Sequence, residues 1–122
     1  SKYEYTYDKN GRLLNETEKS LKNELVSMVN YSNYVNDNTY TKSSVDYKDN
    51  KVLQKMVEYY VNGLVSLEES EMYNLKSTRK LIYSTNRRLV KEIINNDEMN
   101  VYSYKFDENG NPTKIFKMNN NT

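Results

Sequence analysis

Lys76, Lys80, Arg87 and Lys91 fall within 16 residues, and Tyr73 and Tyr83 flank or interleave them. No acidic residue lies between Lys76 and Lys91. Cations on one stripe can lie along phosphates while tyrosine rings stack on bases, which is chemistry suited to nucleic acid. The same stripe also describes a solvated helix face, whose positive charge suits the C-terminal half of a helix dipole. The solvated face is the plainer account, and nucleic-acid binding stands as the alternative.

Tyrosine is the other abundant chemistry, with 13 residues. Tyr3, Tyr5 and Tyr7 alternate with polar residues near one end; Tyr102, Tyr104 and Phe106 do so near the other. If these strands pair, they build an aromatic ladder. It would pack on helices as core, or remain exposed as a surface for a partner protein or a glycan. Tyr31, Tyr34, Tyr40, Tyr47, Tyr59 and Tyr60 would form a second aromatic zone.

Catalysis has little support. Histidine and cysteine are absent, which removes the commonest base, the thiolate nucleophile and thiolate metal sites. None of the remaining Ser, Thr, Tyr, Asp, Glu or Lys residues sits in a recognisable nucleophile, phosphate-loop or paired-carboxylate motif. The expectation is a protein that is not an enzyme and carries no cofactor and no metal; an enzyme of unrecognised type is a further alternative. Asp107, Asn109 and Asn111 faintly resemble part of a calcium loop, but no distal glutamate follows, so the stretch reads as a turn. The sequons at Asn15, Asn30 and Asn120 are what chance produces in a chain with 19 asparagines.

The elements that must position these residues are few. The 122-residue length suits one domain, 1–122, and the net charge of +1 argues against a chain built as a whole for nucleic acid or an anionic membrane. No apolar run approaches 18 residues, so no transmembrane segment is expected. The chain begins at Ser1 and not Met, which is compatible with removal of a signal or lipid-anchor segment.

The apolar stretch Val52 to Leu67 reads as a central helix, since Lys51, Lys55, Glu58 and Asn62 fall on one narrow stripe. Helices are expected over residues 16–36, from 45–50 to 62, and over 67–95 with Met72, Leu75, Ile82, Leu89 and Ile93 inward. Gly63 would stop the second helix, and Ser66 with Glu69 would form a capping box for the third. Strands are expected over 2–8, 101–106 and 113–118, with turns at Asp8–Gly11 and Asp107–Gly110 and a frayed end over 119–122. The fold class expected is α+β: a three-helix core with a small antiparallel sheet, formed by the N-terminal strand or hairpin and the C-terminal β-hairpin.

The two ends share the pattern Y-x-Y-x-(Y/F)-D-x-N-G, in residues 3–11 and 102–110. Both copies resemble the strand-turn unit of YD-repeat (Rhs-like) proteins, Y-x-Y-D-x-x-G-R-L, which Tyr5, Tyr7, Asp8, Gly11, Arg12 and Leu13 follow closely. The second copy departs from it at Phe106, Asn111 and Pro112. The resemblance covers about a quarter of the chain. It implies hairpins at both ends and a lean towards an exported or surface-associated location. The leading expectation is a non-catalytic interaction module of bacterial or phage origin. Its partner would be a protein, met by a Tyr-rich surface with Tyr3, Tyr5, Tyr7, Tyr102 and Tyr104 as candidates, while Tyr73, Lys76, Lys80, Tyr83, Arg87 and Lys91 are the candidates of the nucleic-acid alternative.

Overall fold

The structure, a computed structural model, describes residues 1–119 and, except at 98, 99 and 119, their side chains. The sequon at Asn120 and all but the first residue of the frayed end lie outside these residues; residue 119 itself closes the last strand. Every regular element among the described residues is a β-strand, and none is a helix. The strands are β1 Lys2–Tyr7, β2 Leu13–Lys19, β3 Leu25–Asn36, β4 Thr39–Lys48, β5 Lys51–Val61, β6 Leu64–Met72, β7 Leu75–Tyr83, β8 Leu89–Ile94, β9 Asp97–Phe106 and β10 Pro112–Asn119.

The chain divides into two compact units, Ser1–Ser77 and Thr78–Thr122. The first is an antiparallel meander of β1 to β6, in which β1 to β5 each pair with the next in sequence. The second pairs β7, β8, β9 and β10 in the same manner.

The expected α+β fold with a three-helix core is therefore replaced by an all-β one. The reason is visible in Val52 to Leu67. Asn62 and Gly63 have φ of 51° and 82°, the pair of left-handed residues that a type I′ hairpin turn requires. The stretch is consequently two strands and a turn, with Gly63 inside the turn and Ser66 and Glu69 inside β6. Strand β5 is half-buried along most of both faces, so its apolar residues do not alternate. An apolar run of that kind carries the same periodicity as a buried helix.

The same turn chemistry recurs inside the expected third helix and at the expected start of the second and end of the third. Asp49-Asn50, Tyr73-Asn74 and Asn95-Asn96 each have positive φ at both residues. A second turn type opens with an Asp or Ser whose side chain accepts backbone N–H groups, and closes with a left-handed residue. Its four instances begin at Asp8, Ser20, Ser84 and Asp107 and reach left-handed φ at Gly11, Asn23, Arg87 and Gly110. Each is a type I turn followed by a one-residue bulge, a common three-residue hairpin loop. Among the described residues, seven of the ten non-glycine residues at positive φ are asparagine. Asparagine tolerates this region at the least cost after glycine, so much of the Asn content serves to turn the chain.

The strands expected at the two ends are present, but they do not join into one sheet of their own. The partner of β1 is β2, and β9 lies between β8 and β10. The meander leaves little fully enclosed volume. Among the described residues only Leu81, Thr17 and Glu92 are buried, and no large side chain is wholly removed from solvent. Cross-strand side-chain pairs and ladder hydrogen bonds therefore carry the stability.

Candidate protein-interaction surface

One face of the first unit gathers tyrosines and carboxylates. The register sets Tyr3 opposite Glu18, Tyr5 opposite Glu16, Glu16 opposite Val29, Tyr31 opposite Lys42 and Tyr40 opposite Tyr60. Residues directly opposite share a face. Tyr3, Tyr5 and Tyr7 stand on β1 at 59%, 51% and 60% exposure.

A cluster of four rings lies further along this face. Tyr40 stacks on Tyr60 with centroids 4.9 Å apart, meets Tyr34 at 5.2 Å and takes Tyr31 edge-on at 5.8 Å. Strict alternation along β3 would put Tyr31 and Tyr34 on opposite faces. A bulge between Ser32 and Asn36 prevents this, with Asn33 at φ 55°. The extra residues turn Tyr34 towards Tyr40, where its hydroxyl donates to the Leu13 carbonyl at 2.7 Å. Re-aiming a side chain is a recurrent use of bulges.

Charged groups fringe the rings. The Arg12 guanidinium sits 5.3 Å from the Tyr34 centroid, and its Nε donates to Asp37 Oδ1 at 2.8 Å. Lys42 Nζ lies 6.0 Å from the Tyr31 centroid, while the Tyr31 hydroxyl donates to Glu16 Oε1 at 3.1 Å. Burial and the Glu16 carboxylate push the Tyr31 hydroxyl far above the ordinary tyrosine range, and burial followed by the Glu58 carboxylate raises Tyr60. These hydroxyls therefore stay protonated donors at any physiological pH. Asn10, Gly11, Arg12, Leu13, Tyr34 and Asp37 line a shallow depression of about 290 Å³ beside the cluster. The arrangement offers ring faces, hydroxyl donors and carboxylate acceptors, which are means of binding.

The third helix expected to carry the basic stripe does not form among the described residues. Tyr73 and Lys76 belong to the first unit, while Lys80, Tyr83, Arg87 and Lys91 belong to the second. Tyr73, 76% exposed, forms half of a turn, and Arg87 closes another. Lys80 and Lys91 share a face of β7 and β8, with Ile82 opposite Lys91; Tyr83 points to the other face. That Lys-bearing face continues through Val101 to Lys105, which stands directly opposite Lys114.

Tyr102 and Tyr104 are not an exposed ladder. Their hydroxyls reach β8: Tyr102 donates to Glu92 Oε1 and Tyr104 to the Leu89 carbonyl. Arg79 Nε donates to the other Glu92 oxygen at 2.6 Å. Burial opposes the charge of Glu92, but hydrogen bonds from Tyr102 and Arg79 outweigh it and hold the carboxyl below its usual range. Of the second aromatic zone, Tyr31, Tyr34, Tyr40 and Tyr60 come together, whereas Tyr59 lies on the opposite face beside Thr41. Sequence reasoning missed Arg12, Glu16 and Asp37 as the fringe. The left-handed tendency of Asn33 was the available signal for the bulge.

Among the described residues no group of three or more Asp or Glu side chains is placed to hold a metal ion. No helix among them is long and apolar enough to cross a membrane. Comparison with protein-family models and with curated proteins returned no match.

Proposed function

We propose that this protein is a non-catalytic interaction module that engages a partner protein through its tyrosine-rich surface. The Tyr31, Tyr34, Tyr40 and Tyr60 cluster is the centre of the contact. The observation that carries this reading is a four-ring cluster on a strand face that no helix covers among the described residues. Tyrosine anchors of this kind dominate binding energy at protein interfaces. The carboxylates of Glu16, Asp37 and Glu58 around the rings favour a partner segment bearing lysine or arginine. Arg12 and Lys42 already demonstrate cations seated on these rings.

Titration calorimetry with lysine- and arginine-bearing peptides against acidic peptides tests this. Basic peptides bind, and Tyr60→Ser weakens them about tenfold, the loss of roughly 1.4 kcal/mol expected for an aromatic anchor. Equal binding of acidic peptides, or indifference to Tyr60→Ser in a folded variant, overturns the reading.

A second reading rests on the opposed Lys105 and Lys114. Like charges directly across a ladder repel, and an anion bridging them relieves the repulsion. Together with Lys80 and Lys91 they suit a nucleic-acid backbone. Binding of single-stranded DNA that falls steeply between 50 and 200 mM salt, on the order of a thousandfold, supports it; no binding at low salt removes it.

A further inference from the structure

The hairpins at the two ends are the same object, and the second shows what the first lacks. Tyr3 opposite Glu18 corresponds to Tyr102 opposite Lys117, and Tyr5 opposite Glu16 to Tyr104 opposite Ile115. Tyr7 opposite Leu13 corresponds to Phe106 opposite Pro112, beyond a register shift at the same place. All three correspondences hold at an offset of 99 residues on both strands. The turn hydrogen bonds follow the same offset: Asp8 N–H to the Arg12 carbonyl at 2.8 Å, and Asp107 N–H to the Asn111 carbonyl at 2.9 Å.

The difference is on the other edge. Strand β9 is covered there by β8, which supplies Glu92 to Tyr102 and a carbonyl from Leu89 to Tyr104, while Arg88, immediately before β8, lies over the Phe106 ring at 4.6 Å. Among the described residues strand β1, with the equivalent Tyr3, Tyr5 and Tyr7, pairs with β2 alone, and all six of its residues are exposed. An uncovered edge presents unpaired backbone donors and acceptors that another strand can use.

We propose that the open edge of β1 is a strand-docking site for a segment of the β8 type, supplied by a partner polypeptide. That segment is extended and apolar, and places a main-chain carbonyl at the Tyr5 hydroxyl and a guanidinium over the Tyr7 ring; at Tyr3 the hairpin supplies its own carboxylate, since the hydroxyl donates to Glu18 Oε2 at 3.2 Å, so the segment carries no acid there. The occupant is defined by what already lies on the matching strand of the same chain. This deepens the interaction reading above, because it names the chemistry of a partner segment. It uses a backbone edge in place of the ring cluster, so Tyr60→Ser leaves it intact.

The test is a titration of the ¹⁵N-labelled full chain with a synthetic peptide of residues 87–95 in which glutamine replaces the glutamate, RRLVKQIIN. Saturable shifts of the amides of residues 2–7 are expected. Tyr7→Leu in the protein, or glutamine for the second arginine in the peptide, each weakens binding about threefold, and the two together weaken it little further, as for one shared cation–ring contact. Tyr7 is exposed, so the leucine variant keeps the fold. No shift over residues 2–7 overturns the proposal. So do shifts confined to residues 97–106, which mean displacement of β8, and concentration-dependent β1 shifts without peptide, which mean a second copy occupies the edge.

Discussion

Asp8 and Asp107, ninety-nine residues apart, accept the same two backbone hydrogen bonds. Asp8 Oδ1 takes the N–H groups of Asn10 at 2.8 Å and Arg12 at 2.9 Å; Asp107 Oδ1 takes those of Asn109 at 3.0 Å and Asn111 at 2.9 Å. Ser20 and Ser84 make the second of these bonds with a hydroxyl, at 3.2 and 3.4 Å. One acceptor therefore opens four hairpin loops, which set the registers of β1–β2, β2–β3, β7–β8 and β9–β10.

Replacing Asp107 by Ala is expected to destabilise the β9–β10 hairpin by about 1 to 2 kcal/mol, the loss of two hydrogen bonds to a charged acceptor partly compensated by water. Asp107→Ser, which copies Ser84, recovers part of that loss. Amide exchange at Asn109 and Asn111 measures both, and equal exchange in all three proteins contradicts the role given to the carboxylate.

Glu92 makes the stability of the second unit depend on pH. Its carboxyl titrates below the ordinary value of 4.5 in the fold. Its contribution is thus complete above that value and is lost as pH falls through the lowered one. Glu92→Gln is expected to cost about 2 kcal/mol at pH 7, less than for a wholly buried pair because Arg79 is partly exposed. The cost shrinks towards pH 3. Urea unfolding across that range reads it; a pH-independent difference argues against a charged Glu92.

Tyr73 holds φ 51° in its turn, a conformation that disfavours bulky side chains, and is 76% exposed. Tyr73→Asn, which reproduces the Asn95-Asn96 turn, is expected to raise stability by about 0.5 kcal/mol. A lower melting temperature would show that the ring contributes packing with Val52 and Leu53, beside which it lies.

Asn33 controls the ring cluster. Asn33→Val opposes the left-handed backbone at a cost of about 1 to 2 kcal/mol. It is expected to withdraw Tyr34 from Tyr40, so aromatic ring-current shifts of Tyr40 change while those of Tyr102 do not. An unchanged Tyr40 spectrum would mean that the bulge forms without the asparagine.

The terminal strands were legible because both of their signals are local. Tyr3, Tyr5 and Tyr7 alternate, and Asp8 to Gly11 carries the atoms that close its own loop. The interior was legible in principle through another local signal. Asp49-Asn50, Asn62-Gly63 and Tyr73-Asn74 punctuate the chain at intervals matching one strand and its turn, and Asn95-Asn96 follows after two. The apolar periodicity between them pointed to helices instead. Residues half-buried on both faces of a strand are not forced to alternate, and their spacing then matches a helix by default.

The ring cluster required the tertiary structure. Tyr31, Tyr34, Tyr40 and Tyr60 come from three strands, and which of them share a face depends on registers set by turns and by one bulge. A one-residue slip in any of these would send a ring to the other side. By itself the sequence determined where the chain turns, because φ preferences belong to single residues such as Asn62 and Gly63. Only the fold decided which side chains meet, and which edge of the repeated Tyr strand stands open, because pairing is a relation between strands distant in the chain.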